Sequence, residues 1–238
     1  MKNFIICLSE IPASLETATN LKKQLESYNA DVELFEGTYG HNAVKIMEDE
    51  GRTIHPVGIK GDMADIDIND KSILKMQAPG VKGCFYSHYN LWKKCVELNE
   101  PITIWEDDIV LRRRYSPIEW EDVLILALGH RTKSERYMHY LESPEGKPAA
   151  VEYHQSSMPG CCGYAIKPHA AKKLIDIYNK TYLPADNAIN QYHVNIQIHN
   201  HVMGIALIKK DGKKSLTRSK SKFWENYNVG STNQIKTK

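Results

Sequence analysis

The chain has 238 residues, 42% hydrophobic and 25% charged, with a formal net charge of +2. This suits one large α/β unit of ordinary globular composition, and it excludes a membrane-spanning helix, since no stretch approaches ~18–20 apolar residues. Five cysteines, two of them adjacent at Cys161 and Cys162, make a poor disulfide framework. They fit a reducing compartment, with the cytoplasm as the expected location. No CxxC pair marks a structural zinc site.

The apolar run Phe4 to Leu8 is too short for a signal-peptide core and meets Glu10 at once, so it predicts a buried first strand. From Ser14 the residues Leu15, Ala18, Leu21, Leu25 and Tyr28 recur at helical spacing. Asn29-Ala30-Asp31 breaks that helix, and Val32 to Phe35 predicts a second strand. Strand, helix, strand is how a parallel nucleotide-binding sheet begins. Residues 37 to 82 are richer in Gly, Asp and Asn and are expected to form a long excursion with short helices, a lid being one use for it.

Pro79-Gly80 and Gly83 precede a strong helix, about Cys84 to Leu98, in which Cys84, His88, Leu91 and Cys95 share a face. Asn99-Glu100-Pro101 ends it. Ile102 to Trp105 then reads as a buried strand that delivers Glu106-Asp107-Asp108 at its carboxyl end. Val123 to Leu128 suits a strand or a helix end. Gly160 to Ile166 predicts a tight approach into a strand, and Pro168 opens a helix from about His169 to Tyr178. Asp186 follows Pro184 in a turn, and Ile196 to Ile198 and Gly204 to Ile208 read as late strands. The expected organisation is a single domain over residues 1–208 and a basic tail over 209–238. In that tail, seven Lys or Arg between Lys209 and Lys222 face one acid, Asp211. A solvated segment explains such a run, and so does an anionic partner.

The acidic triplet carries the chemistry. Ligands of open α/β sheets bind at the carboxyl ends of strands, and crowded carboxylates repel until a cation joins them. Alternation along an extended segment would point Glu106 and Asp108 to one ligand and Asp107 away. Oxygen ligands suit Mn²⁺ or Mg²⁺, and an ion there would neutralise a departing diphosphate. A solvated turn that caps a helix fits the same Asp-Asp pair.

Three blocks resemble glycosyltransferase family 25, the group of lipooligosaccharide and collagen galactosyltransferases. They are Gly83-Cys84-x-x-Ser87-His88 with Trp92, Ile104-Trp105-Glu106-Asp107-Asp108, and Gly163-Tyr164 followed by Ala170-Ala171-Lys172-Lys173-Leu174 and Pro184-Ala185-Asp186. They run in order over roughly residues 80 to 190. The resemblance implies a glycosyltransferase-A-like fold with a mostly parallel central sheet. It also implies an inverting, metal-dependent transfer of sugar from a nucleotide-diphosphate donor, a UDP-sugar by family default. Carried onto this chain, the catalytic candidates are Asp186 as base, with Asp107 and His88. The donor-binding candidates are Leu8, Ser9, Glu106, Ser87, Gly163 and Tyr164. The metal candidates are Glu106, Asp108 and, from the late pair His199 and His201, His201.

One departure is plain: the family opens on Asn-Leu-Asp-Arg, where this chain has Cys7-Leu8-Ser9-Glu10 and no arginine before Arg52. The expected acceptor is a lipopolysaccharide or lipooligosaccharide saccharide, with the basic tail near an anionic membrane surface. Hydroxymethylated bases of phage DNA are the alternative acceptor, and a non-catalytic sugar-nucleotide-binding protein is the alternative of another class. Cys84, Cys95, Cys161 and Cys162 read as small buried residues.

Overall fold

The structure is a computed structural model. It describes residues 1–55, 57–58, 61–62, 76–111, 114, 118–128, 148–153, 161–200 and 204–206. His201 and the basic tail lie outside the described residues.

The chain opens on β1 (Lys2–Cys7), α1 (Pro12–Glu26) and β2 (Val32–Glu36). Pro12 sits in the first turn of α1, where its missing N–H costs nothing. The helix buries Ser14, Ala18, Leu21 and Leu25, a one-face spacing of 3.6-residue periodicity. The segment after β2, expected to be a long excursion with short helices, contains an eleven-residue helix, α2 (Gly40–Glu50). Gly51, at φ 63°, caps that helix in the left-handed conformation. Short strands follow: β3 (Thr53–Ile54), β4 (Val57–Gly58) and β5 (Gly61–Asp62).

Next come α3 (Pro79–Leu98), β6 (Ile102–Glu106), β7 (Ile109–Leu111), β8 (Val123–Leu128), β9 (Ala150–Glu152) and β10 (Cys161–Ile166). The described chain then runs through α4 (Pro168–Ile177), β11 (Thr181–Tyr182), α5 (Ala185–Ala188), β12 (Ile196–His199) and β13 (Gly204–Ala206). α3 begins more than a turn earlier than its apolar pattern suggests, because Pro79 starts it and Gly83 lies inside it. Residues 123 to 128, ambiguous in sequence, form a strand.

The central sheet has the order β2-β1-β6-β10-β8-β12-β9, with β13 beside β8 and β7. The expected sheet was mostly parallel, and the observed one is mixed. β2, β1 and β6 are parallel, as are β8 with β12 and β13. β10 is antiparallel to both β6 and β8. The parallel half is the part that strand–helix–strand reasoning reaches, since a crossover helix dictates its direction.

Alternation through the strands divides the interior between two faces. Phe4, Ile102, Ile104, Ile125, Tyr164 and Ile166 pack with α2, α3 and α4. Ile5, Trp105, Leu124, Leu126 and Ala165 pack with Leu21 and Leu25 of α1. Both faces are covered, so β6 is buried at every position up to Trp105 and reads as a continuous apolar run. Among the described residues, no helix is long and apolar enough to cross a membrane.

Candidate active site at the carboxyl edge of the parallel strands

Because β1, β2 and β6 are parallel and in register, Ile6 opposite Glu106 and Cys7 opposite Glu36, their carboxyl ends share one edge of the sheet. α3 runs back antiparallel to β6 across a short connection, which sets its N-terminal half beside that edge. α5 brings Asp186 to the same place from far along the chain: its charge acts on Glu106, Cys84 and His88. Asp107 and Asp186 thus lie within electrostatic reach of Glu106, and His88 within that of Asp186, at that edge. The extended alternation expected through the acidic triplet stops at Glu106. Asp107 and Asp108 form the turn that leads into β7.

Glu106 is crowded by protein yet keeps 36% of its side chain exposed, so one side of the carboxyl faces water. Burial, then the charges of Asp186 and Asp107, push its pKa up to about 8, and the Cys84 thiol pulls the other way. Water on the open side moderates that push. The Cys84 thiol stands 3.9 Å from Glu106 Oε1. Burial and the same acids hold the thiol proton on, well above the ordinary range. His88 is 1% exposed and its Nε2 lies 3.7 Å from Glu106 Oε1. Burial depresses its pKa to about 4, against the opposing pull of Asp186, so the ring is neutral at physiological pH.

The α3 motif has a mechanical explanation residue by residue. At Gly83 an added Cβ would sit 2.5 Å from the carbonyl oxygen of Thr38, so only glycine lets the helix press on the loop after β2. Ser87, 2% exposed, accepts a 2.8 Å bond from the Thr38 N–H and donates one of 2.8 Å to Gly83 O. Gly37 of the same loop donates its N–H to Cys7 O at the end of β1. Trp92 donates its indole N–H to the Tyr164 hydroxyl at 2.9 Å. That hydroxyl also lies 2.9 Å from His88 Nδ1, with the two rings stacked.

β10 continues the arrangement. A Cβ at Gly163 would fall 2.6 Å from the Trp105 ring, and Trp105 donates its indole N–H to Asn3 Oδ1. Ser87, Gly163 and Tyr164 thus spend their shape and polar groups on protein neighbours.

The loop after β1 holds the other two donor candidates. The Leu8 N–H bonds to Ser14 Oγ, the exposed Ser9 N–H to Glu36 Oε1, and the Glu10 N–H to the Tyr39 hydroxyl. Side chains of this chain thereby shape the loop. Cys84 is the residue that sequence reasoning undervalued. Its signal was the i,i+4 spacing with His88, which sets both on one helical face.

Comparison with known proteins places these features in a group. The model of glycosyltransferase family 25 (LPS biosynthesis protein) matches residues 1–189. The lipooligosaccharide biosynthesis protein lex-1 of Haemophilus influenzae is 30% identical over 122 residues, 46% of this chain and 40% of that protein. The lipooligosaccharide biosynthesis protein lic2B of Haemophilus influenzae is 25% identical over 142 residues, 54% of this chain and 47% of that protein. The aligned parts span less than half the length of either relative. Among solved structures, an inositol-1-phosphate CTP transferase from T. maritima is similar at 10% identity and TM-score 0.44, covering 94% of this chain and 93% of that one.

Proposed function

The chain belongs to glycosyltransferase family 25, and we propose that it moves a sugar from a nucleoside-diphosphate donor to a hydroxyl acceptor with inversion, on a glycosyltransferase-A-like sheet. The observation that carries this reading is the convergence of Glu106, Asp107 and Asp186 at the carboxyl edge of the parallel strands, where the charges of Asp186 and Asp107 act on Glu106.

The residues suit a divalent cation. A carboxyl 36% exposed, whose pKa is raised to about 8 by burial and like charge, sits in a site with surplus negative potential, which a cation would relieve. Glu106 and the Asp107–Asp108 turn would hold it, with His201 a further candidate. When bound, such an ion offers charge stabilisation to a departing diphosphate. Asp186 is the base: its carboxylate takes the proton of the acceptor hydroxyl while that oxygen bonds to the anomeric carbon and the sugar–phosphate bond breaks. The pair of electrons from that bond leaves with the nucleoside diphosphate.

Ser87, Gly163 and Tyr164 act by position in this account. Ser87 fixes the Gly37–Thr38 loop, and Tyr164 fixes the His88 ring. Leu8 and Ser9 line the donor end, with Glu36 and Tyr39 shaping their loop. The acceptor is a lipopolysaccharide or lipooligosaccharide saccharide, supported by the family description and the names of both curated relatives. The alternative acceptor, a hydroxymethylated DNA base, leans in part on the basic run Lys209 to Lys222, which lies outside the described residues.

Product analysis tests the reaction. A panel of nucleotide sugars incubated with Mn²⁺ should yield a nucleoside diphosphate from one or a few donors. Release of a nucleoside monophosphate instead would mean phosphodiester cleavage and end this proposal.

A further inference from the structure

Cys84 has no assigned part in sugar transfer, and His88, a catalytic candidate, carries no proton or bond in the step proposed above, yet both meet Glu106 in a geometry with a use of its own. One ligand atom from each, the Cys84 Sγ, a His88 ring nitrogen and a Glu106 carboxylate oxygen, all lie within 4.8 Å of one another. His88 Nε2 is buried, 3.7 Å from Glu106 Oε1, and has no hydrogen-bond partner among the described residues. A buried nitrogen left without a partner is costly, and here it points at a thiol and a carboxylate.

We propose that Cys84, His88 and Glu106 form a binding site for a borderline-soft divalent cation of the zinc type. It goes beyond the sugar-transfer reading and does not depend on it. Tetrahedral zinc, with bonds of about 2.0–2.3 Å, sets its ligand atoms roughly 3.3–3.7 Å apart. The spacings of 3.7 Å and 3.9 Å to Glu106 Oε1 are close to this, and the Cys84–His88 spacing, within 4.8 Å, closes by at most roughly 1–1.5 Å. The thiol proton leaves to solvent as the metal–sulfur bond forms.

The support behind the ring is already built. Metal-bound imidazoles donate their second N–H to a neighbouring oxygen, and His88 Nδ1 faces the Tyr164 hydroxyl at 2.9 Å. Trp92 holds that hydroxyl from the other side. The donor set of sulfur, nitrogen and oxygen distinguishes this site from one for Mg²⁺ or Mn²⁺, which prefer oxygen. Glu106 belongs to both, so a thiophilic ion and a hard ion compete for it. The helix spacing Cys-x-x-x-His takes the place of the CxxC pattern that the sequence lacks.

Titration of the full chain with Co²⁺ alone tests the site. The wild type should show a near-ultraviolet thiolate-to-cobalt band that saturates at one equivalent and is displaced by Zn²⁺. The band should vanish in Cys84→Ser and persist in Cys95→Ser. Affinity in His88→Gln should fall by at least the roughly 10–100-fold that loss of an outer-sphere partner costs. No band in the wild type, or an unchanged band in Cys84→Ser, overturns the proposal. One measurement needs no variant: an equivalent of Zn²⁺ should slow alkylation of Cys84 by iodoacetamide, read by peptide mass, and an unchanged rate also overturns it. Neither readout involves a sugar donor, so failure here leaves the transferase reading standing, and failure to find a donor leaves this site standing.

Discussion

The Tyr164 hydroxyl stands 2.9 Å from His88 Nδ1, so the ring that faces Glu106 is anchored from behind by the neighbouring strand. Tyr164→Phe removes this anchor and strands the Trp92 N–H as well. Unfolding by denaturant should show a loss of about 1–3 kcal/mol. Steady-state kinetics should show kcat lowered by roughly 10-fold or more with the donor KM little changed, as expected when orientation fails and binding survives. A change in KM alone would assign Tyr164 to donor contact.

Glycines at two contacts should behave differently from a glycine at a turn. Gly83→Ala and Gly163→Ala place a Cβ 2.5 Å from the Thr38 carbonyl oxygen and 2.6 Å from the Trp105 ring. Each should cost about 1–3 kcal/mol through forced displacement, and each should lower activity by moving α3 or β10 at the site. Gly51→Ala meets nothing within 4 Å and is strained only by its φ of +63°. It should cost roughly 1–2 kcal/mol and leave turnover unchanged. Chemical denaturation with parallel activity measurements separates the two cases.

Stability should respond to pH through Glu106 and His88 in opposite senses. Glu106 has a folded pKa of about 8 against an ordinary 4.5. Its favourable contribution is complete below pH 4.5 and is lost as pH rises to about 8. His88, depressed from 6.5 to about 4, contributes above pH 6.5 and loses that contribution as pH falls to about 4. Thermal melts without added cation should show Glu106→Gln flattening the decline on the alkaline side. Added Mn²⁺ should restore Tm most at pH 8, where Glu106 is free to ionise. A Glu106→Gln profile that overlays the wild type would remove this account of the site's charge.

Asp186→Asn should lower kcat by about 10²–10⁴-fold while the donor KM stays close to wild type, the pattern of a lost base. If donor affinity alone suffers, Asp186 serves the donor and another group takes the proton.

Much of this arrangement could be read from residue order. Periodicity and breakers located β1, α1, β2, α3, β6, β10 and α4, because each pairs a clear apolar period with a proline, glycine or asparagine boundary. The candidates Glu106, His88 and Asp186 proved to be neighbours although they come from three separate elements. Other features depended on partners remote in sequence. Short helices were expected in residues 37 to 82, but the bounds of α2 were hidden by its narrow apolar face, of which Gly40, Ala43 and Met47 are buried. The antiparallel sense of β10 is set by a connection that local pattern does not encode. Ser87 was a donor-binding candidate, and its hydroxyl bonds both Gly83 and Thr38. Cys84 looked inert because helical i,i+4 neighbours become ligands only when a third group, Glu106 from β6, arrives between them.

Turnover of a matched donor by wild type and Asp108→Asn, each with Mn²⁺ and after chelation, is the most direct trial of the central mechanism. Wild type should release nucleoside diphosphate only with the ion, and Asp108→Asn should be inactive in both conditions with an unchanged circular dichroism spectrum. Full activity of Asp108→Asn in chelator would contradict the assignment of the acidic turn to a cation beside the leaving diphosphate.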